Sequence, residues 1–403
     1  MSHVNENTRC LACDSENLHV TLDLGMSPLA NAYKNSKSQT EEFYPLAVNL
    51  CHSCYHLQLS HTVDPGIIYK NYMYATGTNQ TIQQYCEWFA GFVNEYTAPK
   101  TVLDIGCNDG TQLNYFSDLG VTTYGIDPAE NLHERIRPEH NVICDFFEKS
   151  SVKKLAKNKY DAIVAQNVFA HNPKPVEFLK SCKKLMGPQT LLFIQTSQAN
   201  MVLNNEFDTI YHEHVNFFNA NSMDRLATRA GLYLQDVIKT PIHGNSYIFI
   251  LGLDNRCPYN VANIIVNERA SGLYTVNTYQ NWAKTVEYNV SGLAKVVGDY
   301  REQGFHVVGY GAAAKGMTLI NYANLHLDFI IDDNPLKQEK YTPGTNTHIV
   351  SNEKLEDFTD DDKILFIPLA WNFYDEIRQR IQKVRQVESD RFLRYFPKVT
   401  VST

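Results

Sequence analysis

The spacing of apolar residues along the chain changes character near residues 75 and 255. Before residue 75 it shows little helical periodicity, which predicts short strands and turns. From about 80 to 250, stretches with helical spacing alternate with short apolar runs. They predict a helix over 80–96 and strands over 101–105, 122–126, 161–165 and 190–196. Such alternation is typical of a parallel sheet with crossover helices.

The last third of the chain shows a similar pattern. Helical spacing runs over 276–303, a strand–turn–helix pattern covers 305–321, and apolar runs follow at 327–331 and 363–367. These elements predict a second Rossmann-like domain. A chain of 403 residues is too long for one ordinary core. We therefore expect an α/β protein in three parts, residues 1–75, 76–255 and 256–403.

Composition and charge narrow the classes of partner. The formal net charge is −8, and lysine and arginine are scattered along the sequence. This argues against a broad surface for nucleic acid or membrane, but it leaves room for one small anionic ligand. No apolar run is long enough to span a bilayer, and the polar N-terminus does not resemble a secretory signal. We expect a cytoplasmic protein with reduced cysteines.

Two CxxC pairs stand near the N-terminus: Cys10 with Cys13, and Cys51 with Cys54. Two such turns can supply four thiolates for a tetrahedral zinc site, which leaves no open position for catalysis. The 37 residues between the pairs exceed the usual spacing of compact zinc ribbons, so an insertion of strands is expected. The alternatives are four unrelated cysteines, or a nearby His52 or His56 replacing one ligand. We predict structural zinc.

The strand over 101–105 runs into a glycine-containing turn that carries Asp104, Gly106, Asn108 and Gly110, and a helix follows. Glycines allow the backbone to approach a ligand closely. The turn is neither GxGxxG nor a phosphate-binding P-loop. It resembles the first motif of class I S-adenosylmethionine-dependent methyltransferases. The resemblance implies further cofactor contacts at later strand ends, namely Asp127 for the ribose, Asp145 and Phe146 near adenine, and Gln166 with Asn167. A generic nucleotide-binding or inactive domain is the alternative.

Two histidine-bearing stretches follow predicted strands. His171 lies in residues 167–173, and Tyr211, Glu213 and His214 lie in residues 208–215. Loops after strand ends line the ligand crevice of open α/β sheets, and these side chains can abstract or relay a proton. A general base in this loop would point to a carbon acceptor, because a carbon must lose a proton before it is methylated, whereas oxygen and nitrogen acceptors often need only positioning. The alternatives are a loop that satisfies its own hydrogen bonds, or a metal site built on His-x-His.

The whole order of motifs resembles one family. After the cysteine pairs come Tyr72-Met73-Tyr74, the cofactor turn, the two histidine stretches and residues 241–246, and then a glycine-rich turn over 309–316 and an Asp-Asp-Asn-Pro segment over 332–335. This order resembles bacterial sugar C-methyltransferases that act on nucleotide-linked 4-keto-6-deoxysugars. The resemblance implies that the sugar nucleotide lies between the cofactor domain and the flanking modules.

The family resemblance also implies roles for individual residues. His214 would remove the proton at C3 beside the C4 ketone, while Glu213 and Tyr211 would orient it or stabilise the enolate. His171 and Tyr74 would line the sugar pocket, with Tyr72 the alternative to Tyr74. Further substrate contacts are expected from His243, Asn245 and Ser246.

The C-terminal turn over 309–316 resembles a dinucleotide fingerprint with imperfect spacing, and we do not expect NAD there. It is either structural or holds the substrate's diphosphate through backbone amides and Lys315. We expect a monomer or homodimer whose ligands are S-adenosylmethionine, structural zinc and a nucleotide-linked sugar. The competing functions are O- or N-methylation of another metabolite, and a zinc-dependent scaffold without catalysis.

Overall fold

The computed structural model describes residues 3–68, 76–78, 80–196, 200–242, 245–255 and 258–403. The chain forms two compact units. Unit 1 comprises Met1–His19, Asn49–Asn200 and Glu213–Val276, and unit 2 comprises Val20–Val48, Met201–His212 and Asn277–Thr403. The units are therefore not consecutive segments of sequence. The boundaries expected after residues 75 and 255 stay predictions.

Unit 1 is built on a seven-stranded sheet in the order β12-β13-β10-β9-β6-β7-β8. The five strands β6 to β10 run parallel to one another. β13 is antiparallel to β10, and β12 is antiparallel to β13. This order, with one reversed strand near the edge, is the expected class I methyltransferase arrangement. The strands are β6 (Thr101–Ile105), β7 (Thr122–Asp127), β8 (Asn141–Cys144), β9 (Tyr160–Gln166), β10 (Met186–Thr196), β12 (Tyr233–Thr240) and β13 (Ser246–Gly252).

Helices connect these strands, and their ends carry recognisable signals. Pro175 occupies the first turn of α6, where a missing N–H costs nothing. The side chain of Asn219 caps α7 by accepting from the Ser222 N–H, and Gly231 ends α7 with φ of +72°. The helices are α2 (Gln80–Thr97), α3 (Thr111–Asp118), α4 (Glu130–His133), α5 (Lys149–Leu155), α6 (Pro175–Leu185), α7 (Ala220–Ala230) and α8 (Pro258–Ala270).

The N-terminal segment contains longer strands than its sequence pattern predicts. β2 (Leu18–Pro28) and β3 (Phe43–Cys51) occupy the insertion between the two cysteine pairs, and each passes from one unit into the other. The predicted insertion of strands is therefore present, but its strands are 11 and 9 residues long rather than short. The remaining elements are β1 (Val4–Glu6), β4 (Leu57–Leu59), β5 (His61–Val63), α1 (Pro65–Ile68) and β11 (Asn216–Phe217).

Unit 2 contains a six-stranded sheet in the order β16-β15-β14-β17-β18-β19, which is parallel except for β19. Its core includes the buried apolar side chains of Val308, Ile331 and Phe366. The sheet and the helix after β14 agree with the predicted Rossmann-like domain. Its elements are α9 (Val276–Glu302), β14 (His306–Tyr310), α10 (Ala314–Tyr322), β15 (Phe329–Ile331), β16 (Ile349–Val350), β17 (Ile364–Pro368), α11 (Tyr374–Val384), β18 (Arg391–Arg394) and β19 (Thr400–Ser402).

Across the part of the chain that the structure describes, no helix combines the length and the apolar character needed to cross a membrane.

Candidate active site and zinc centre

The turn after β6 has a backbone shape that requires glycine. Gly106 and Gly110 both have φ of +79°, a region that L side chains rarely adopt. A Cβ at Gly106 would lie 2.2 Å from Cγ2 of Val168, so the turn is also closely packed. Gly110 begins α3 as its N-cap. The sequence therefore folds this segment into a tight turn at the end of a buried strand, with backbone N–H groups at the start of a helix.

Asp127 ends the neighbouring strand β7 and faces the same turn. Its carboxylate accepts the Asn108 N–H at 2.9 Å and the Ala129 N–H at 2.8 Å, one on each oxygen. Burial raises the pKa of Asp127, and these two N–H groups oppose the rise. Each carboxylate oxygen has a second lone pair, so the group can still accept ribose hydroxyls.

Asp104 lies on β6 with 3% of its surface exposed. Burial, and then the charge of Asp127, raise the pKa of Asp104 to about 8. Its carboxyl group is therefore mainly protonated at neutral pH. A cationic ligand beside it would favour the ionised form.

Two glutamines form a chain of hydrogen bonds beside the turn. Nε2 of the buried Gln112 donates to the Cys86 carbonyl at 3.0 Å, and its Oε1 accepts from Gln166 Nε2 at 2.7 Å. Because a carbonyl can only accept, the orientation of both amides is fixed. Gln166 therefore keeps its Oε1 as an acceptor at the wall of the cleft. Asn167 follows it in the left-handed region, with φ of +54°.

Asp145 and Phe146 follow β8, on the far side of β7. Asp145 accepts the Phe146 N–H at 2.9 Å, and its other oxygen lies 3.5 Å from Lys154 Nζ. The Phe146 side chain is 42% exposed and lines the same cleft as Asp104 and Gln166. An exposed aromatic ring at this strand end is suited to contact a flat adenine ring.

Most of these residues border one cleft of about 1960 Å³ within unit 1, whereas Gly110 and Asp145 are not part of its wall. Pockets for single small ligands usually enclose roughly 300–1,000 Å³. The cleft therefore has room for a cofactor and a second ligand. Its wall includes residues of the N-terminal segment, the strand ends of the sheet and the start of α6, among them Asn5, Asn7, Thr62, Asp104, Gly106, Asn108, Asp127, Phe146, Gln166, Asn167, His171 and Lys174.

The two predicted histidines lie close together in unit 1. His171 ends a 3₁₀ helix (Phe169–His171) and lines the cleft. Its ring centroid lies 5.1 Å from that of His214, which is 95% buried. Burial lowers the pKa of His171 to about 4, so this imidazole is neutral at pH 7. Glu213, next to His214, is also buried.

The four cysteines of the CxxC pairs come together in one cluster. Their Sγ atoms all lie within 4.8 Å of one another, with Cys10 to Cys54 and Cys13 to Cys51 at 3.6 Å. Four sulfurs around zinc at about 2.3 Å would stand roughly 3.8 Å apart, so the cluster fits the metal. Among the described residues it is the only group of three or more side chains arranged to hold a metal ion.

The two CxxC turns, which we call zinc knuckles, have the same backbone conformation. The Asp14 N–H donates to the Cys10 carbonyl, and the Tyr55 N–H donates to the Cys51 carbonyl, both at 2.8 Å. Asp14 and Tyr55 both have positive φ. His56 is fully buried and bonds Asn216 instead of joining the sulfur cluster.

Comparison with known proteins agrees with this geometry. Three family models match in order: a domain described by its zinc binding over residues 10–69, a methyltransferase domain over 78–237, and a C-methyltransferase C-terminal domain over 241–397. The C-methyltransferase NovU of Streptomyces niveus is 28% identical over 383 residues, which cover 91% of this chain and 90% of NovU. The chain is thus similar to a C-methyltransferase along nearly its whole length.

Other similarities cover less of the chain. The ubiquinone biosynthesis O-methyltransferase of Nitrosospira multiformis is 26% identical over 194 residues, or 43% of this chain and 80% of that relative. A solved S-adenosylmethionine-dependent methyltransferase from Clostridium acetobutylicum aligns at 10% identity and a TM-score of 0.34, covering 43% of this chain and 92% of its own. The methyltransferase uses S-adenosylmethionine as its methyl donor and binds zinc.

Of the other predicted substrate residues, Ser246 and Asn245 lie within the described part of unit 1. Ser246 of the methyltransferase is fully buried; its hydroxyl donates to the Ile242 carbonyl and accepts from Gln195 Nε2. Its only proton is thus engaged, which favours a structural role over the predicted substrate contact. Asn245 is partly buried. His243 and Tyr74 lie outside the described residues.

The remaining predicted residues of the methyltransferase belong to unit 2. Tyr211 is partly buried there, and the neighbouring His212 is buried with its ring edge toward Tyr44 at 5.8 Å. Lys315 lies in the first turn of α10, with Nζ 5.3 Å from the centre of the Trp371 ring.

Backbone groups of the glycine-rich turn before α10 are hydrogen-bonded to side chains of unit 2. The Ala312 N–H donates to Asp332 Oδ2 at 2.7 Å, and Lys337 Nζ donates to the Ala312 carbonyl at 2.7 Å. The acid at the end of β15 therefore binds the turn itself, which favours the structural reading of this motif.

Sequence reasoning missed two polar residues of unit 1, Gln112 and Asn216. Each is a buried amide that orients a predicted site residue or its loop. The only signal available was a polar side chain inside an otherwise apolar stretch, as Asn216 is within the sequence Val-Asn-Phe-Phe.

Proposed function

We propose that the methyltransferase adds a methyl group to C3 of a nucleoside-diphosphate 4-keto-6-deoxysugar through an enolate. The observation that carries this proposal is His171, which lines a cleft large enough for two ligands, with the ring of the buried His214 directly behind it at 5.1 Å between centroids. Similarity to the C-methyltransferase NovU and to a C-methyltransferase C-terminal domain supports a carbon acceptor.

A carbon acceptor sets a chemical requirement that an oxygen acceptor does not. The C3–H bond beside the C4 ketone must be ionised, and the developing oxyanion must be stabilised. We assign the base to His214, with Glu213 to orient it or stabilise the enolate; the same role for Tyr211, a residue of unit 2, stays a prediction from the family resemblance. The neutral imidazole of His171 lines the sugar pocket, where it can hydrogen-bond without introducing charge. Bound S-adenosylmethionine supplies an electrophilic methyl group.

Lysines on one side of the cleft could serve an anionic second ligand. The start of α5 and the length of α6 bring five lysines to its wall: Lys149, Lys174, Lys180, Lys183 and Lys184. The same wall carries five acidic residues, so the cleft as a whole is not basic: Asp64, Asp104, Asp127, Glu148 and Glu177. A diphosphate in this cleft would therefore lie toward α6, where the lysines concentrate.

A labelled methyl donor tests the proposal. Purified enzyme is incubated with ¹³C-methyl S-adenosylmethionine and a panel of nucleotide-linked 4-keto-6-deoxysugars, and the product is examined by NMR. A labelled methyl carbon coupled to C3 supports the proposal. A methyl signal typical of an ether would overturn it in favour of O-methylation, as in the relative from Nitrosospira multiformis.

The variant His214→Ala and the control His348→Ala complete the test. His348 is a partly exposed residue of unit 2 that faces Glu339 at 3.3 Å and lies outside the proposed site. We expect a loss of at least 100-fold in the rate of C-methylation for His214→Ala, and an unchanged rate for His348→Ala. Equal rates for both variants would remove His214 from the mechanism.

A further inference from the structure

The second zinc knuckle, residues 51–56, is tied to the segment that follows His214. β4 pairs with β11, so that Gln58 stands opposite Asn216, and the Leu59 N–H donates to the Val215 carbonyl at 2.9 Å. Asn219 Nδ2 donates to the Tyr55 carbonyl at 2.6 Å, and Asn221 Nδ2 donates to the Cys54 carbonyl at 2.9 Å. The backbone around His214 is therefore anchored on the knuckle.

Asn216 extends this anchoring to the loop of His171. Its Oδ1 accepts from His56 Nε2 at 3.1 Å, and its Nδ2 donates to the Asn172 carbonyl at 2.8 Å. The Asn216 and His56 side chains are fully buried. Because the Asn172 carbonyl can only accept, the amide orientation is fixed, and His56 must carry its proton on Nε2. One side chain thus joins the knuckle, the strand after His214 and the residue after His171.

Stacked aromatic rings make a second connection between the same three segments. The His56 ring lies 4.8 Å from the ring of Phe218, and Phe218 stacks on Phe169 at 5.1 Å with 24° between their planes. Phe169 begins the 3₁₀ helix that ends at His171. The hydrogen bonds and the rings therefore both connect the knuckle to the segments that carry His171 and His214.

We propose that Asn216 is a positioning residue, through which the zinc knuckle sets the spacing of the His171 and His214 imidazoles. The catalytic consequence rests on the function proposed above, whereas the structural coupling does not. Asn216 contacts neither the sulfur cluster nor the cofactor turn in the described structure, so its effect is directed to the two histidine loops. Misplacing reacting groups by about 1 Å can cost on the order of 100-fold in rate.

Variants of Asn216 and His56 separate this role from general stability. Asn216→Leu loses both bonds, and Asn216→Asp keeps an acceptor for His56 but, at a pH where its carboxylate is ionised, cannot donate to the Asn172 carbonyl. His56→Leu removes the donor, and His56→Gln restores an N–H at a similar position. Asn221→Ala is the matched control, because it removes one amide bond to the same knuckle without contacting the His171 loop.

Five quantities are measured on the zinc-loaded enzyme: zinc content, the dissociation constant of S-adenosylmethionine, the ¹⁵N-histidine ring signals, kcat and KM. For Asn216→Asp and His56→Leu we expect wild-type zinc content and cofactor affinity, shifted His171 and His214 signals, and kcat lower by about 10- to 100-fold. His56→Gln should recover most of kcat, and Asn221→Ala should match the wild type.

The outcomes distinguish this inference from the proposed function. Unshifted histidine signals in Asn216→Asp, or loss of zinc from it, would overturn the positioning role, because the loop would be unaffected or the knuckle itself disrupted. Shifted signals with an unchanged kcat would instead support the coupling and contradict the catalytic roles proposed for the two histidines.

Discussion

At the scale of single residues, burial determines which protonation states the site uses. Asp104 has its pKa raised to about 8, and His171 has its pKa lowered to about 4, in both cases mainly because the charged form loses its hydration. At pH 7 both side chains are therefore mostly neutral. The sequence indicated that these residues belong to the site, but it could not give their charge, which depends on packing by distant segments.

The buried carboxyl of Asp104 predicts a pH-dependent stability. The folded protein keeps a proton that the unfolded chain releases above about pH 4, so this residue lowers the free energy of unfolding as the pH rises from about 4 to about 8. Asp104→Asn should raise the melting temperature of the cofactor-free protein by several degrees at pH 8 and change it little near pH 4.5. An equal effect at both pH values in differential scanning calorimetry would contradict the raised pKa.

The hydrogen bond between Gln112 and Gln166 predicts an effect on cofactor binding. Gln112→Leu removes the acceptor that orients Gln166, so the Gln166 carbonyl oxygen is no longer fixed toward the cleft. We expect S-adenosylmethionine to bind about tenfold more weakly by calorimetry, in line with one lost oriented hydrogen bond. Unchanged affinity in Gln112→Leu would show that Gln166 is not a cofactor contact.

At the scale of elements, local patterns predicted four of the five strands β6 to β10 of the seven-stranded sheet and missed β8. β6 was predicted at its observed bounds, and β9 within one residue at each end, because short apolar runs bounded by turns suit buried parallel strands. The antiparallel pair β12 and β13 and the helix α8 were not predicted. All seven residues of β13 are buried, so the alternation that identifies a half-exposed strand is missing.

Two glycines of unit 1 separate the cost of backbone strain from the cost of a steric clash in the cofactor turn. Gly106 and Gly120 have the same φ of +79°, but a Cβ at Gly106 would meet Val168, whereas a Cβ at Gly120 would have nothing within 4 Å. Gly120→Ala should cost about 1–2 kcal/mol of stability from backbone strain alone. Gly106→Ala should cost more and abolish S-adenosylmethionine binding. Similar melting temperatures and intact binding in both variants would contradict this account.

At the scale of the whole molecule, sequence order and spatial organisation differ. Residues 20–48 and 201–212 join the C-terminal segment in unit 2, which long-range packing decides and local patterns do not show. The cysteine spacing predicted the zinc cluster, and the family resemblance, more than any local pattern, placed His171 and His214 in one site. The domain boundaries, cytoplasmic location and oligomeric state stay predictions.

Loss of a zinc ligand is expected to loosen segments beyond the zinc cluster itself. Cys51→Ser removes one thiolate, and the knuckle it belongs to is bonded to the segment after His214. We expect zinc content well below one ion per chain, a lower melting temperature, and faster hydrogen exchange in both residues 51–59 and 214–221. Faster exchange confined to the knuckle would show that the two segments are not coupled.

In the mechanism proposed above, the enzyme ionises a carbon acceptor before methylating it. The most direct measurement is mass spectrometry of a nucleotide-linked 4-keto-6-deoxysugar incubated with enzyme and S-adenosylhomocysteine in deuterated water, so that no methyl group can be transferred. We predict that one deuterium enters the substrate at C3 with the wild-type enzyme, and that His214→Ala slows this exchange by at least 100-fold. Methylation of the same sugar by the wild-type enzyme without any exchange at C3, or exchange that persists in His214→Ala, would contradict the account.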